Sequence, residues 1–173
     1  MDEKAWLRLA ETTGEWVRGV RLGVDVGTVR VGVAVSDPDG ILASPLVTLR
    51  RDMSTVGETG PQSDDSYPQD ILALMRLVQV HESVEVVVGL PVTLAGTESH
   101  AAAHVRAYAD RLARAVAPVP VRLTDERMST AVAARRLSER GVRGGRRRAV
   151  VDQAAAVEIL QGWLDAARRR RDA

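Results

Sequence analysis

The chain has no cysteine, no phenylalanine and a single lysine, Lys4. Each absence excludes something. Without cysteine there is no disulfide, no zinc–thiolate centre and no thiol nucleophile. That suits a cytosolic enzyme, and a cytoplasmic location is the expectation. Three Trp and two Tyr make no platform for stacking bases, so any nucleic-acid binding must lean on backbone charge and shape. The three histidines, His81, His100 and His104, are scattered. His100 and His104 have an i, i+4 spacing, but they sit in an Ala-rich stretch with no third ligand nearby. Neither Gly96-Thr97 nor Gly144-Gly145 leads into the Gly-Lys-Ser/Thr of a phosphate-cradling loop. No uncharged apolar run approaches a membrane span. The acidic, amphipathic N-terminus does not read as a secretory leader.

What is present is ordinary in bulk and uneven in distribution. The 173 residues are 45% hydrophobic and 27% charged, enough for one domain with a sizeable core. Net charge is +1, which by itself says nothing about partners. Nine arginines fall between Arg122 and Arg148, opposed only by Asp125, Glu126 and Glu139, whereas Asp52 to Asp70 is acidic with no Lys or Arg. The basic stretch reads either as a phosphate-binding face or as a solvated face in an Arg-rich chain.

Residues 1–19 read as an N-terminal extension with a weak amphipathic helical pattern (Trp6, Leu9, Trp16, Val17). Val20 to Val35 is β-branched and interrupted at Gly27-Thr28, the pattern of two antiparallel strands and a tight turn. Ser36-Asp37-Pro38-Asp39-Gly40 is a turn signal, and Leu46 to Arg50 a third strand. Residues 52–69 have little to bury and read as an irregular, flexible insertion. Helical spacing follows from Asp70 to Glu82. Val84 to Val88 reads as a buried parallel strand ending at the breaker Gly89-Leu90-Pro91. Ser99 to Val116 reads as helix, Val119 to Thr124 as strand, and a helix capped by Ser129 or Thr130 runs to about Arg140. Residues 141–148 read as a basic loop, and Val151 to about Arg170 as a final helix. The order β-β-β-α-β-α-β-α-α predicts an α/β fold over 20–171: a five-stranded mixed sheet, an antiparallel meander followed by β-α units, with helices on both faces.

Asp25 is a lone carboxylate in an apolar strand, Gly23-Val24-Asp25-Val26-Gly27. Burying it is costly unless its charge is compensated. Asp125 and Glu126 end a later strand, and Asp152 opens the last helix. In open α/β sheets such strand ends converge on ligands. Converging carboxylates suit Mg²⁺ or Mn²⁺, and two such ions can drive phosphodiester hydrolysis. Each residue also has a plainer reading. Asp152 complements a helix N-terminus, Asp125 caps or pairs with Arg127, Glu126 lies on the surface, and Asp25 forms an Asx-type turn.

Four blocks resemble the signatures of the YqgF/RuvX family of bacterial RNase H-like proteins. They are Gly23-x-Asp25-x-Gly27-x-x-Arg30-x-Gly32-Val33-Ala34, Val87-Val88-Gly89-Leu90-Pro91, Thr124-Asp125-Glu126-Arg127-Met128-Ser129-Thr130 and Asp152-Gln153-Ala154-Ala155-Ala156-Val157-x-Ile159-Leu160. The family is associated with pre-16S rRNA nuclease activity and with Holliday junction resolution. The resemblance implies an RNase H-like fold and a catalytic, metal-binding set of Asp25, Glu126 and Asp152. Asp125 is the rival for the middle position, because alternation turns 125 and 126 to opposite faces. Arg30 and Arg127 become candidate phosphate contacts, or ion pairs that hold the acids. Thr130 and the basic Arg146, Arg147 and Arg148 complete the substrate-binding candidates. Similar resolvases carry further carboxylates where this chain has Gly89 and Ala155, which weakens the junction reading.

The leading expectation is a Mg²⁺- or Mn²⁺-dependent nuclease, with two ions, acting on structured RNA in maturation of the small-subunit rRNA 5′ end. Its partners would be pre-rRNA or ribosomal particles, with no membrane, and it would be a monomer or homodimer. The rivals are a resolvase of branched DNA, which needs a dimer for two symmetric incisions, and a non-catalytic nucleic-acid or transcription-factor binding module. An actin-like or sugar-kinase ATPase shares Asp25-Val26-Gly27-Thr28 but needs two such domains.

Overall fold

The computed structural model describes residues 16–53, 67–91, 100–125 and 145–173, without the side chains of 145–148. Its elements are β1 (Arg21–Val26), β2 (Arg30–Ser36), β3 (Ala43–Arg50), α1 (Gln69–Val80), β4 (Glu85–Leu90), α2 (His100–Val116), β5 (Val121–Asp125) and α3 (Gly145–Arg171). The five strands form one mixed sheet in the order β3-β2-β1-β4-β5. β1 and β2 are antiparallel, as are β2 and β3, whereas β4 runs parallel to β1 and β5 parallel to β4. The expected five-stranded sheet with helices on both faces is therefore present.

The sheet is a two-sided wall. Leu22, Val24 and Val26 of β1 join Val31, Val33, Val86, Val88 and Leu90 under α1 and α2. On the other face Ala34 and Val87 pack with Ala156, Ile159, Leu160 and Leu164 of α3. With both faces covered, all six residues of β1 are buried, as a central strand requires.

The structure moves several boundaries. β3 begins at Ala43 and not Leu46; it is an edge strand, where Pro45 costs no ladder hydrogen bond. Gly89-Leu90 continues β4, paired with Thr124 and Asp125 of β5, so the strand runs two residues into the expected breaker and ends before Pro91. α3 begins at Gly145, so 145–148 of the expected basic loop are helix, and its residues 141–144 lie outside the described residues. Arginine is a strong helix former, and the Arg146–Arg148 run is taken into the helix. The expected helix from 129 to 140 lies outside the described residues, as do 1–15 of the N-terminal extension and 54–66 of the insertion.

Turns are fastened by side chains. The Asp37 carboxylate accepts the backbone N–H groups of Asp39, Ile41 and Leu42. These bonds, Leu42's foremost, hold its carboxyl below its ordinary value against the opposing effect of burial. Trp16 lies against Gly40, which has φ +67°, and stacks under the guanidinium groups of Arg21 and Arg171.

A second fastening lies under α1 and α2. Arg51, nearly buried, faces Asp70 at 3.3 Å and donates from Nη1 to the Gly27 carbonyl at 2.8 Å. The Tyr108 hydroxyl donates to Asp70 at 3.1 Å. Burial, then the Asp70 charge, pushes the phenol well above its usual value. Nη1 of Arg51 also meets Nε2 of His104 at 3.0 Å. A guanidinium only donates, so this nitrogen accepts and the ring is neutral. Burial first and Arg51 second keep the imidazole below its ordinary value. The unfolded chain therefore takes up this proton near pH ~6.5, and the folded chain only at lower pH. The stability involved is intact above about pH 6.5 and is lost as pH falls from there through the folded value. Urea midpoints should fall between about pH 7.5 and about pH 5.5. His104→Gln, whose amide oxygen still accepts from Arg51, should flatten that fall.

Candidate active site

Two glycines seat α3 on the sheet. A Cβ at Gly23 would lie 2.6 Å from the Leu160 Cβ and 2.9 Å from the Ala156 carbonyl oxygen. A Cβ at Gly32 would overlap the Asp152 carbonyl. Gly23 and Gly32 thus mark the α3 face of β1 and β2. Asp25 is two residues beyond Gly23, on the same face, and it is the register partner of Gly32. The backbone of Asp152 therefore stands over the strand position beside Asp25.

Asp25 is 2% exposed and engages in polar contacts within the fold. It lies at the C-terminal edge of the parallel strands β1, β4 and β5, the edge where open α/β sheets take ligands. Asp152 is partly exposed, and its Oδ2 accepts from Nε of Arg30 at 3.0 Å. Arg30 starts β2 at the same edge. Thr48 of β3, the register partner of Gly32, donates to the Ala149 carbonyl at 2.9 Å and accepts from Gln153 at 3.2 Å. The start of α3 is thereby pinned to β3 as well as to β2.

Asp152 is the eighth residue of α3, two turns in. A helix dipole acts within its first turn, so the dipole does not account for this carboxylate. Asp125 ends β5, one residue beyond Thr124. Val121 and Leu123, of the same parity, pack into the α1 and α2 core, and Arg122 meets Glu85 on the α3 side. Alternation so places Asp125 on the face opposite Asp25. Glu126, Arg127 and Thr130 lie outside the described residues, and the Arg146, Arg147 and Arg148 side chains likewise. Among the described residues no group of three or more His, Cys, Asp or Glu forms a metal-holding cluster; of the candidate acids, Asp25 and Asp152 are the two whose backbone positions lie side by side, through Gly32.

A family model described as "RuvX: Holliday junction resolvase" matches residues 19–166. The chain belongs to the RuvX family. A Rhodococcus erythropolis relative named "Putative pre-16S rRNA nuclease" is 53% identical over 148 residues, covering 86% of this chain and 78% of that protein. A Mycobacterium ulcerans relative of the same name is 54% identical over 148 residues, with coverage of 86% and 79%. Among solved structures, Thermus thermophilus RuvC in complex with a Holliday junction substrate superposes with a TM-score of 0.53 at 16% identity, covering 87% of this chain and 96% of that one. That likeness concerns the fold, which is RNase H-like. Among the described residues no helix is long and apolar enough to cross a membrane.

Sequence reading missed the seat itself, since a glycine inside a strand signals close approach without saying to what. The seat makes opposite forecasts for two glycines of this RuvX-family chain. Gly32→Ala should cost about 3 kcal/mol by overpacking, because backbone and not a flexible side chain occupies the space. Gly162 of α3 has nothing within 4 Å of a built Cβ, so Gly162→Ala should gain about 0.5–1 kcal/mol. Urea unfolding of both variants checks the pair.

Proposed function

We propose that this chain is a metal-dependent nuclease that hydrolyses phosphodiester bonds in structured RNA, at the 5′ end of the small-subunit rRNA precursor. The observation that carries the reading is Asp25. It is a buried carboxylate at the ligand-binding edge of the sheet, with Asp152 on α3 delivered beside it by the Gly32 contact. Glu126, one residue past the end of β5, is the proposed third member. The names of the curated relatives point to the same reaction and substrate.

The donor set fits a hard divalent cation. Asp25 and Asp152 offer carboxylate oxygens, which Mg²⁺ and Mn²⁺ prefer, and positive charge would offset the cost of burying Asp25. Asp25, Asp152 and Glu126 would hold the metal. When bound, a pair of such ions supplies an activated water and stabilisation of the leaving oxygen. The protein's own part is positioning. β1 fixes Asp25 in a rigid central strand. α3 fixes Asp152 through its backbone, and Arg30 orients the Asp152 carboxylate by a charge-assisted hydrogen bond. Arg30, Arg127, Thr130 and Arg146–Arg148 are the proposed substrate contacts.

Junction cleavage is the competing chemistry. α3 presents Ala155, buried and apolar, one turn beyond Asp152, and β4 presents Gly89 on the site face. Both positions lack the extra carboxylates of similar resolvases, which favours the RNA reading.

The test is cleavage of a labelled small-subunit rRNA precursor 5′ leader, a plain single-stranded RNA and a four-way DNA junction, in Mg²⁺, Mn²⁺ or EDTA. Metal-dependent cleavage of the leader, lost in Asp25→Asn, is the expected result. Junction cleavage alone would select branched DNA. Salt-sensitive binding with no cleavage would select a binding module. Independently of activity, saturating Mn²⁺ should raise the melting temperature of the wild type by several degrees through linkage, roughly 2–3 kcal/mol at 100 times Kd. It should leave Asp25→Asn unmoved.

A further inference from the structure

The sheet edge that carries Asp25 also carries a pair of like charges. Arg30 of β2 and Arg50 of β3 are direct register partners. Partners in an antiparallel pair share a face, and Arg30 lies on the α3 face by its bond to Asp152. Arg50 therefore projects on the face of Asp25 and Asp152, one pair beyond the Gly32–Thr48 row. It is exposed. Like charges directly opposite on neighbouring strands repel. Asp152 neutralises Arg30, and among the described residues no carboxylate pairs with Arg50. The end of β3 is not free to swing this charge away. The Arg51 backbone N–H donates to the Val29 carbonyl at 2.9 Å, and the Arg51 side chain is locked between Asp70 and Gly27. The arrangement sets a guanidinium that has no carboxylate partner among the described residues on a held stretch of backbone at the rim of the proposed phosphodiester site.

We propose that Arg50 is an RNA-backbone contact that, with Arg30, forms a two-guanidinium clamp on a phosphate beside the scissile bond. The proposal rests on the nuclease reading for its choice of RNA. Guanidinium groups match phosphate oxygens by paired hydrogen bonds, and two of them on adjacent strands bracket one strand of backbone. Because the contact is to phosphate, it adds affinity and register but no sequence preference. Edge strand β3 thereby has a role beyond closing the sheet.

The experiment is binding of the fluorescently labelled small-subunit rRNA precursor 5′ leader, followed by anisotropy in EDTA, across salt from about 50 to 200 mM. The wild type, Arg50→Gln and Arg169→Gln are compared. Arg169 is exposed near the far end of α3 and serves as the control for net charge. Arg50→Gln should weaken binding roughly three- to tenfold at moderate salt and reduce the slope of log K against log salt by about 0.7–1, one phosphate contact. Arg169→Gln should follow the wild type. Unchanged affinity and slope in Arg50→Gln would overturn the proposal. So would an equal loss in Arg169→Gln, or no RNA binding by the wild type. Since the assay contains no metal, it separates the two readings. Leader cleavage that depends on Asp25, with wild-type binding in Arg50→Gln, sinks the clamp alone. An Arg50 effect without any cleavage keeps the clamp and sinks the nuclease.

Discussion

The backbone contact between α3 and the β1–β2 pair is the constraint on which the rest depends. A helix normally rides on a sheet at side-chain distance. Here Gly23 and Gly32 remove the side chains, and the carbonyls of Ala156 and Asp152 come down to the strands. Two consequences follow. Leu160 and Leu164 are fully buried against the sheet, each contributing about 1.5–3 kcal/mol by leaving water. And the position of Asp152 relative to Asp25 is set by main chain against main chain, which leaves little of the slack that a long side chain would bring. Precision of that kind is what a constellation of metal-binding carboxylates requires.

The same sheet face carries a second, partly buried acid, and the comparison shows what distinguishes a structural carboxylate. Glu85, at the start of β4, accepts from Nε of Arg21 at 2.9 Å, Nε of Arg122 at 3.1 Å and the Trp163 indole at 3.1 Å. Three donors from two neighbouring strands and α3 close its coordination, and it ties the C-terminal half of the helix to the sheet. It lies at the N-terminal edge of the parallel strands. Asp25 lies at the opposite edge, where β1, β4 and β5 end and ligands enter. Two acids on one face thus lie at opposite edges of the sheet, set apart by strand polarity.

Much of this was legible in the sequence because it is local. β-branched alternation marked the strands, and an Asp inside such a run marked Asp25. The order of elements followed from the periodicity. What was illegible is what depends on distance along the chain. Nothing near Arg51 announces that it will meet Asp70, Tyr108 and the Gly27 carbonyl, and nothing near Gly32 announces Asp152. The Arg146–Arg148 run was misread for a different reason. A polar segment flanked by glycines has the composition of a loop, yet its backbone propensity is helical. That misreading had a chemical cost, because starting α3 at Val151 made Asp152 look like a helix cap. Glu126 shows the reverse: its candidacy comes from the sequence, and the described strand stops one residue short of it.

Arg30 links these arguments. Its pair with Asp152 is about 30% exposed on each side, and ion pairs of that exposure contribute on the order of 1 kcal/mol or less. The pair is therefore too weak to explain the fold, but strong enough to hold a carboxylate in one rotamer. It is also cheap to exchange. In the proposed clamp, a phosphate between Arg30 and Arg50 would take up guanidinium donors that Asp152 uses here, which would leave the Asp152 oxygens available to a cation. On the proposed reading, substrate binding and completion of the carboxylate site would be one event, a swap of partners at Arg30 that needs no conformational change in the sheet. The glycine seat and the Arg51 fastening hold the backbone on either side of Arg30 and Asp152, so such a swap would be confined to side chains.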